Sequence, residues 1–228
     1  METWLKVIDM KSFVITIKEI EQSQQAAERC IKTGKSHSVI IEKHFGFTPK
    51  DKPLDILKEK GLPLTKFQEK YSRLESCVAA FLSHRSLWEA CSKGRDNYLI
   101  LEHDAVFDTS ISAHLQYTQE NPITSIGAPS YGKFNTPMNI GVGPLVSKPY
   151  FPGAHAYILT PEGAKEALRV SMTEAGPTDV FFNLNNFPNL KEFYPWPVRA
   201  SDSFTTIQKT EGCLAKHNWN EGVGYDIV

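Results

Sequence analysis

The stretch Asn97-Tyr98-Leu99-Ile100-Leu101-Glu102-His103-Asp104-Ala105-Val106-Phe107 constrains this chain more than any other. A short unbroken apolar run suits a strand covered on both faces, as in a parallel sheet. Here the run stops at two carboxylates, Glu102 and Asp104, spaced i and i+2. With the strand continued through them, both point to one side of the sheet end. Ligands of open α/β sheets bind outside the carboxyl ends of the strands. Two carboxylates there make a candidate site for a hard divalent cation, which prefers oxygen ligands and shares them with phosphates. The plainer alternative is an acidic turn that ends a strand, because E-x-D alone is a weak motif.

The flanking pattern predicts an α/β fold. Ser12 to Ile17 is rich in aromatic and β-branched residues and reads as a first strand. Ser23 to Thr33 follows as a helix with Ala27, Cys30 and Ile31 on one face and Gly34 as its stop. Ser38 to Ile41 is the second strand, which gives a β-α-β opening with parallel strands. His44 to Leu64 reads as a surface connection, with one turn of helix around Ile56-Leu57. Ser72 to Ser92 is the longest helix, its stripe made by Leu74, Cys77, Val78, Phe81 and Trp88. His84 falls on that stripe with Ser83 beside it. A core histidine and a group near a ligand are equally good readings of it.

Ile123 to Gly127 predicts another short strand. Ala128 to Pro152 is crowded with Gly, Pro, Asn and Ser, and a loop of that length is usually functional. Tyr131, Phe134, Met138 and Tyr150 would give it contact surface for a ligand. His155 to Leu159 reads as a strand. Thr160 then caps a helix with Pro161 at its first position and Ala164, Ala167 and Leu168 on its buried face. Gly176 to Phe182 opens a further helix or turn, where the helix dipole alone would favour Asp179. A polar, irregular tail is expected at about 209–228.

A chain of 228 residues suits one domain spanning 1–228. A net charge of -1 gives no reason to expect nucleic acid or an anionic membrane as partner. No apolar run approaches the ~20 residues of a membrane span, and the first residues lack the order of a signal peptide. Four cysteines without a C-x-x-C pair lead to the expectation of reduced thiols and a cytoplasmic protein. Gly141-Val142-Gly143 is too short for a dinucleotide fingerprint, and no G-x-x-x-x-G-K-[ST] occurs.

Three segments resemble family 25 of the glycosyltransferases, the lipooligosaccharide and collagen galactosyltransferases. Cys77-Val78-Ala79-Ala80-Phe81-Leu82-Ser83-His84-Arg85-Ser86-Leu87-Trp88 is similar to its C-x-L-S-H-x-x-x-W helix. Leu99 to Phe107 is similar to its L-I-L-E-D-D-V-x-F strand, and Gly153 to Ala164 to its G-x-x-A-Y-L-I-S-x-x-G-A strand and helix. The likeness is good from about Ser72 to Asp179 and thin at both ends. It implies a GT-A fold, with a Rossmann-like, mostly parallel sheet flanked by helices. It also implies inverting transfer of a hexose, galactose or glucose, from a UDP-sugar to a glycan or protein-linked hydroxyl, as in lipopolysaccharide biosynthesis. Glu102-His103-Asp104 becomes the counterpart of the D-x-D motif, with Asp104 and Glu102 as ligands of Mn²⁺ or Mg²⁺. Thr16, Ser83, His84, Glu102, Gly153 and Tyr157 become substrate-binding residues. His103 departs from the pattern by replacing the middle acid. The arginine that the family shows after its first strand has no match in Glu19 to Gln25, and Arg29 is the nearest candidate.

The implied chemistry needs a cation to stabilise the leaving nucleoside diphosphate and a base to take the acceptor's proton. Asp179 is the first choice for the base and His155 the second. Two other functions compete. One is a non-catalytic descendant that binds a glycan or a protein. The other is a nucleotidyltransferase, which would need a Gly-rich basic loop after the first strand, and Thr16 to Gln25 contain no Gly.

Overall fold

The computed structural model describes residues 10–68, 72–111, 121–129, 133–201 and 206–207, together with the backbone of 217–220 and 224–227. In chain order the main elements are β1 (Met10–Thr16), α1 (Glu21–Ser36), β2 (Glu42–Phe45), α2 (Pro53–Glu59), α3 (Leu74–Lys93), β3 (Asn97–Glu102) and β4 (Ala105–Phe107). They continue with β5 (Ile123–Ser125), β6 (Gly141–Pro144), β7 (Ala156–Leu159), α4 (Pro161–Glu174), α5 (Thr178–Phe181), β8 (Lys191–Tyr194) and β9 (Val198–Ala200). Seven strands form one sheet in the order β2-β1-β3-β7-β5-β8-β6. Five share a direction, and β7 and β6 run against them. The α/β class with a mostly parallel sheet is therefore as expected.

The apolar run of β3 is continuous because each face of the sheet has its own core, and successive strand residues face opposite ways. Tyr98 and Ile100 belong to one buried cluster, with Phe81, Trp88, Tyr157, Phe181 and Phe182. Leu99 and Leu101 belong to the other, with Val14, Ala27, Cys30 and Phe107. Thus α3 and α4 cover the first face and α1 the second. The Trp88 and Phe181 rings stack with centroids 5.3 Å apart, and Phe81 meets Trp88 edge-on at 5.5 Å. Helix α4 begins as predicted, with Thr160 Oγ1 accepting the Gly163 N–H at 3.1 Å and Pro161 in the first turn.

Several expectations change. The second strand is Glu42–Phe45, not Ser38 to Ile41. Val39 and Ile41 are buried by packing before the strand starts. The paired residues lie at the sheet edge, where alternation need not be apolar. Gly34 does not stop α1, which runs on to Ser36. A Cβ on Gly34 would lie 2.3 Å from Ile41 Cδ1, so this glycine permits close approach instead. The connection after β2 is more ordered than a surface loop, because α2 and Leu62 and Phe67 bury apolar side chains against α3. Ala128 to Pro152 is not wholly a loop. It contributes β6 to the sheet edge and buries Leu145, Tyr150 and Phe151. Phe134 and Met138 remain exposed there, and Tyr131 lies outside the described residues. The tail contains an antiparallel hairpin, β10 (His217–Asn220) with β11 (Gly224–Ile227). Cys30, Cys77 and Cys91 are buried.

Gly163 sits against a neighbouring backbone, where an added Cβ would meet Pro122 O at 2.0 Å. Backbone cannot move aside as a side-chain tip can. Gly163→Ala is expected to destabilise the protein by about 1–3 kcal/mol despite alanine's better helix propensity. Urea unfolding of the two proteins checks it.

Candidate active site

A cleft of about 580 Å³ opens outside the carboxyl ends of β1 and β3. These are the neighbouring strands at which the chain switches sides, since β1 is flanked by β2 on one side and β3 on the other. A crevice at such a switch point is the general ligand site of open α/β sheets. Its floor is Ile15, Ile17 and the turn Glu102-His103-Asp104, and its walls are the Gly46–Lys50 loop and the first half of α3.

The strand does not carry through both carboxylates. β3 ends at Glu102, and His103 and Asp104 form a turn before β4. Glu102 therefore faces α3, where its Oε1 lies 3.1 Å from His84 Nε2. Asp104 lies close enough to α1 for its charge to act on the Cys30 thiol, which burial chiefly pushes up to about 12. The two carboxylates do not share one side of the sheet, but both still line the cleft.

Glu102 is one end of a hydrogen-bonded chain. His84 Nδ1 is 3.0 Å from the Tyr157 hydroxyl, to which Trp88 Nε1 donates at 2.8 Å. One proton arrangement satisfies every group in this hydrogen-bonded chain. Trp88 donates to Tyr157, Tyr157 donates to Nδ1, and Nε2–H donates to the Glu102 carboxylate. Burial pushes the Tyr157 phenol well above its usual 10, so it remains a donor. Burial also acts to raise Glu102, but the hydrogen bond and charge of His84, with His155 and His103 nearby, bring it below its usual 4.5.

A second network fixes the other side of the floor. The Ser23 hydroxyl accepts the Ile17 N–H at 2.9 Å. It also lies 3.0 Å from Thr16 Oγ1 and 3.1 Å from His103 Nδ1. Gln24 Nε2 donates to Ile17 O at 3.0 Å. These bonds join the end of β1, the start of α1 and the acidic turn.

Of the residues singled out from sequence, Ser83, His84, Glu102 and Asp104 come together in the cleft. Ser83 donates to Ala79 O at 2.7 Å and accepts the Phe47 N–H at 2.8 Å, which holds the Gly46–Lys50 loop against α3. Thr16 and Tyr157 are fully buried and do not line the cleft. Gly153 and His155 do not line it either. A Cβ on Gly153 would lie 2.4 Å from His155 Nδ1, and one on Gly127 2.5 Å from Nε2, so the two glycines hold the ring between them. Burial lowers the His155 pKa, with Glu102 and the Val198 backbone opposing. Asp179 lies half-buried at α5, where its Oδ1 accepts the Val180 N–H at 3.0 Å. Its charge, after burial, helps push the Tyr150 phenol up to about 12. Tyr150 lines a separate hollow of about 230 Å³ with Lys133, Phe134, Asn135, Ser147 and Lys148.

Sequence reasoning missed Ser23 and Gln24, and it missed the cleft wall at Phe47 to Lys50 and at Arg73. A hydroxyl followed by an amide just after a strand was the available signal for the first pair. The wall residues carry no motif.

No protein-family model matches the sequence, and no curated protein matches it. Among solved structures, the chain is similar to mouse xyloside xylosyltransferase 1 in its apo form, at 13% identity and a TM-score of 0.44 over 80% of this chain and 84% of that one. It is also similar to HddC from Yersinia pseudotuberculosis complexed with GMP-PN, at 14% identity and a TM-score of 0.36 over 81% and 90%.

Two predictions follow from the Tyr157 network. Tyr157→Phe leaves the Trp88 and His84 ring nitrogens without their buried partner, and should cost about 2–4 kcal/mol of unfolding free energy. The depressed Glu102 pKa means stability that is present above the unfolded value, near 4.5, and is lost as pH falls through the folded value. Glu102→Gln should therefore flatten the acid limb of stability against pH, measured as melting temperature from pH 7 down to 3.

Proposed function

We propose that this chain is a glycosyltransferase that transfers a hexose from a UDP-sugar to a hydroxyl of a glycan or glycoconjugate. The observation that carries the reading is the acidic turn Glu102-His103-Asp104 opening into the switch-point cleft. The resemblance of that turn, of the α3 helix and of the β7–α4 segment to glycosyltransferase family 25 supports the same reading, with a GT-A fold and inversion at the anomeric carbon.

Among the described residues no group of three His, Cys, Asp or Glu side chains could hold a metal. The donor set instead fits Mn²⁺ or Mg²⁺ held jointly with phosphate, which needs only one or two carboxylates from the protein. Asp104 is the proposed direct ligand. Glu102 has one oxygen engaged by His84 and would serve as a weaker ligand or through water. A bound cation supplies Lewis-acid stabilisation to the departing diphosphate. The remaining work belongs to the chain. His84 orients Glu102, Ser23 holds His103, and Ser83 fixes the loop that walls the cleft.

For the proton acceptor, His155 is enclosed by its two glycines. Asp179 does not line the cleft; its charge acts on Tyr150, which lines the smaller hollow. Asp179 remains the proposed base.

Isothermal titration with UDP tests the metal. Mn²⁺ should tighten binding to the wild type, and Asp104→Ala should remove that gain while the protein stays folded. Equal UDP affinity in Mn²⁺ and in chelator would falsify the metal reading. A screen of UDP-sugars with free UDP as readout tests the transfer itself. Asp179→Asn should lower single-turnover transfer by roughly 10²-fold or more at unchanged UDP affinity. A small loss of melting temperature with normal turnover would instead leave Asp179 as a cap.

A further inference from the structure

The hollow of about 230 Å³ lies apart from the cleft and shares no lining residue with it. It is lined by Lys133, Phe134 and Asn135 from before β6 and by Val146 to Tyr150 from after it. Phe134 and Tyr150 are two of the residues that the sequence offered as ligand contacts. Ser147, Lys148 and Tyr150 are buried, whereas Phe134 is 46% exposed.

Its wall is built, not a gap left by a loop. The Glu192 carboxylate on β8 is buried, and its Oε1 accepts the Val146 and Ser147 N–H groups at 2.7 and 2.8 Å. Its Oε2 accepts the Trp196 Nε1–H at 3.1 Å. Three donors on one buried acid tie this wall to the sheet. From the other side, the Asn135 N–H donates to Ser147 O at 2.9 Å and Asn135 Nδ2 to Val146 O at 3.2 Å. The Phe134 ring meets the Trp196 ring edge-on at 5.9 Å, so an exposed aromatic group is held in one place. Within this frame one polar group is left over. The Ser147 Oγ is buried and has no hydrogen-bond partner among the described residues. Such a group costs stability unless a ligand supplies the missing bond.

We infer that this hollow binds one pyranose ring of a neutral saccharide. That the ring is part of the acceptor rests on the glycosyltransferase reading; the saccharide site itself does not. The volume falls below the roughly 300–1,000 Å³ of pockets for whole drug-sized ligands, so it suits one ring and not a nucleotide. A pyranose carries apolar C–H faces and a rim of hydroxyls. Phe134 and Val146 offer the apolar contact. A turn of Ser147 about χ1 brings its Oγ to a ring hydroxyl, and the Asn135 carboxamide oxygen accepts from another. Lys148, with its Nζ 5.4 Å from the centre of the Tyr150 ring, adds a donor. Among the described residues no Asp or Glu lines the hollow, so nothing there would hold a cation for a diphosphate.

The test is an NMR titration that follows the Trp196 indole N–H, assigned with Trp196→Phe, in chelator and without nucleotide. The probes are the methyl glycosides of glucose, galactose, mannose and N-acetylglucosamine, with inorganic phosphate as the anion control. At least one glycoside should shift the signal saturably in the wild type. Phe134→Ala should weaken that glycoside about tenfold, and Ser147→Ala by about threefold or more, as expected for the loss of one apolar contact or one hydrogen bond. Ser147→Ala removes a hydroxyl that has no partner in the free protein, so it should melt no lower than the wild type. Calorimetry with UDP should give the same affinity for both variants as for the wild type. Glycoside binding that depends on Phe134 and Ser147, in a wild type that binds no UDP, sustains the inference and overturns the UDP-donor reading. UDP binding with no response to any of the four glycosides overturns the inference and leaves the donor reading standing. A response to phosphate alone, or glycoside affinity equal in the wild type and both folded variants, also overturns it.

Discussion

The Tyr157 hydroxyl is the interaction on which the site depends. It sits on the antiparallel strand β7, next to β3, accepts from Trp88 and lies 3.0 Å from His84 Nδ1. Both partners lie on α3, one turn apart. The longest helix is thereby fixed in rotation and in height against the middle of the sheet. Apolar packing of Phe81 and Trp88 supplies most of the cohesion, but packing alone tolerates small slides. The buried hydrogen bonds do not, because each slip strands a desolvated donor. Through His84 the same register decides where the Glu102 carboxylate points.

The opposite wall is set in a comparable way from the other core. Ser23 satisfies the Ile17 N–H, where β1 stops pairing, and touches both Thr16 and His103. One hydroxyl thus ties the β1–α1 connection to the β3–β4 turn. Where the resembling L-I-L-E-D-D-V-x-F pattern has a middle acid, this chain has an imidazole that serves as a strut.

Much of this was legible in the sequence, and the boundary of legibility is physical. Strands with an apolar face on each side, β1 and β3, announce themselves, and so does the long stripe of α3. The Thr160-Pro161 cap was visible because capping is local chemistry. Edge strands were not: β2 is Glu-Lys-His-Phe, and β6 is built on Gly-Val-Gly-Pro. At an edge, pairing is decided by the neighbouring strand rather than by side-chain pattern. In the site, the acidic turn and His84 were readable because their residue types are unusual in those settings. Their partners were not, since Tyr157 meets His84 across 73 positions and Ser23 meets His103 across 80. The wall at Lys50 and Arg73 was invisible for the same reason, as only folding brings the two segments together.

The small ribbon outside the main sheet shapes how the molecule is completed. β9 pairs with β4 through Ala200 and Ala105, and the Ser201 N–H donates to Asp104 O at 3.0 Å. The carboxylate-bearing turn at Asp104 is thus clamped by Ala200 and Ser201, about a hundred positions further along. During synthesis the N-terminal strands and α3 emerge and can assemble first. The acidic turn gains its final hold only when residue 201 has left the ribosome. The fold therefore delays the final shape of this charged cleft until the strand that covers the turn has been made.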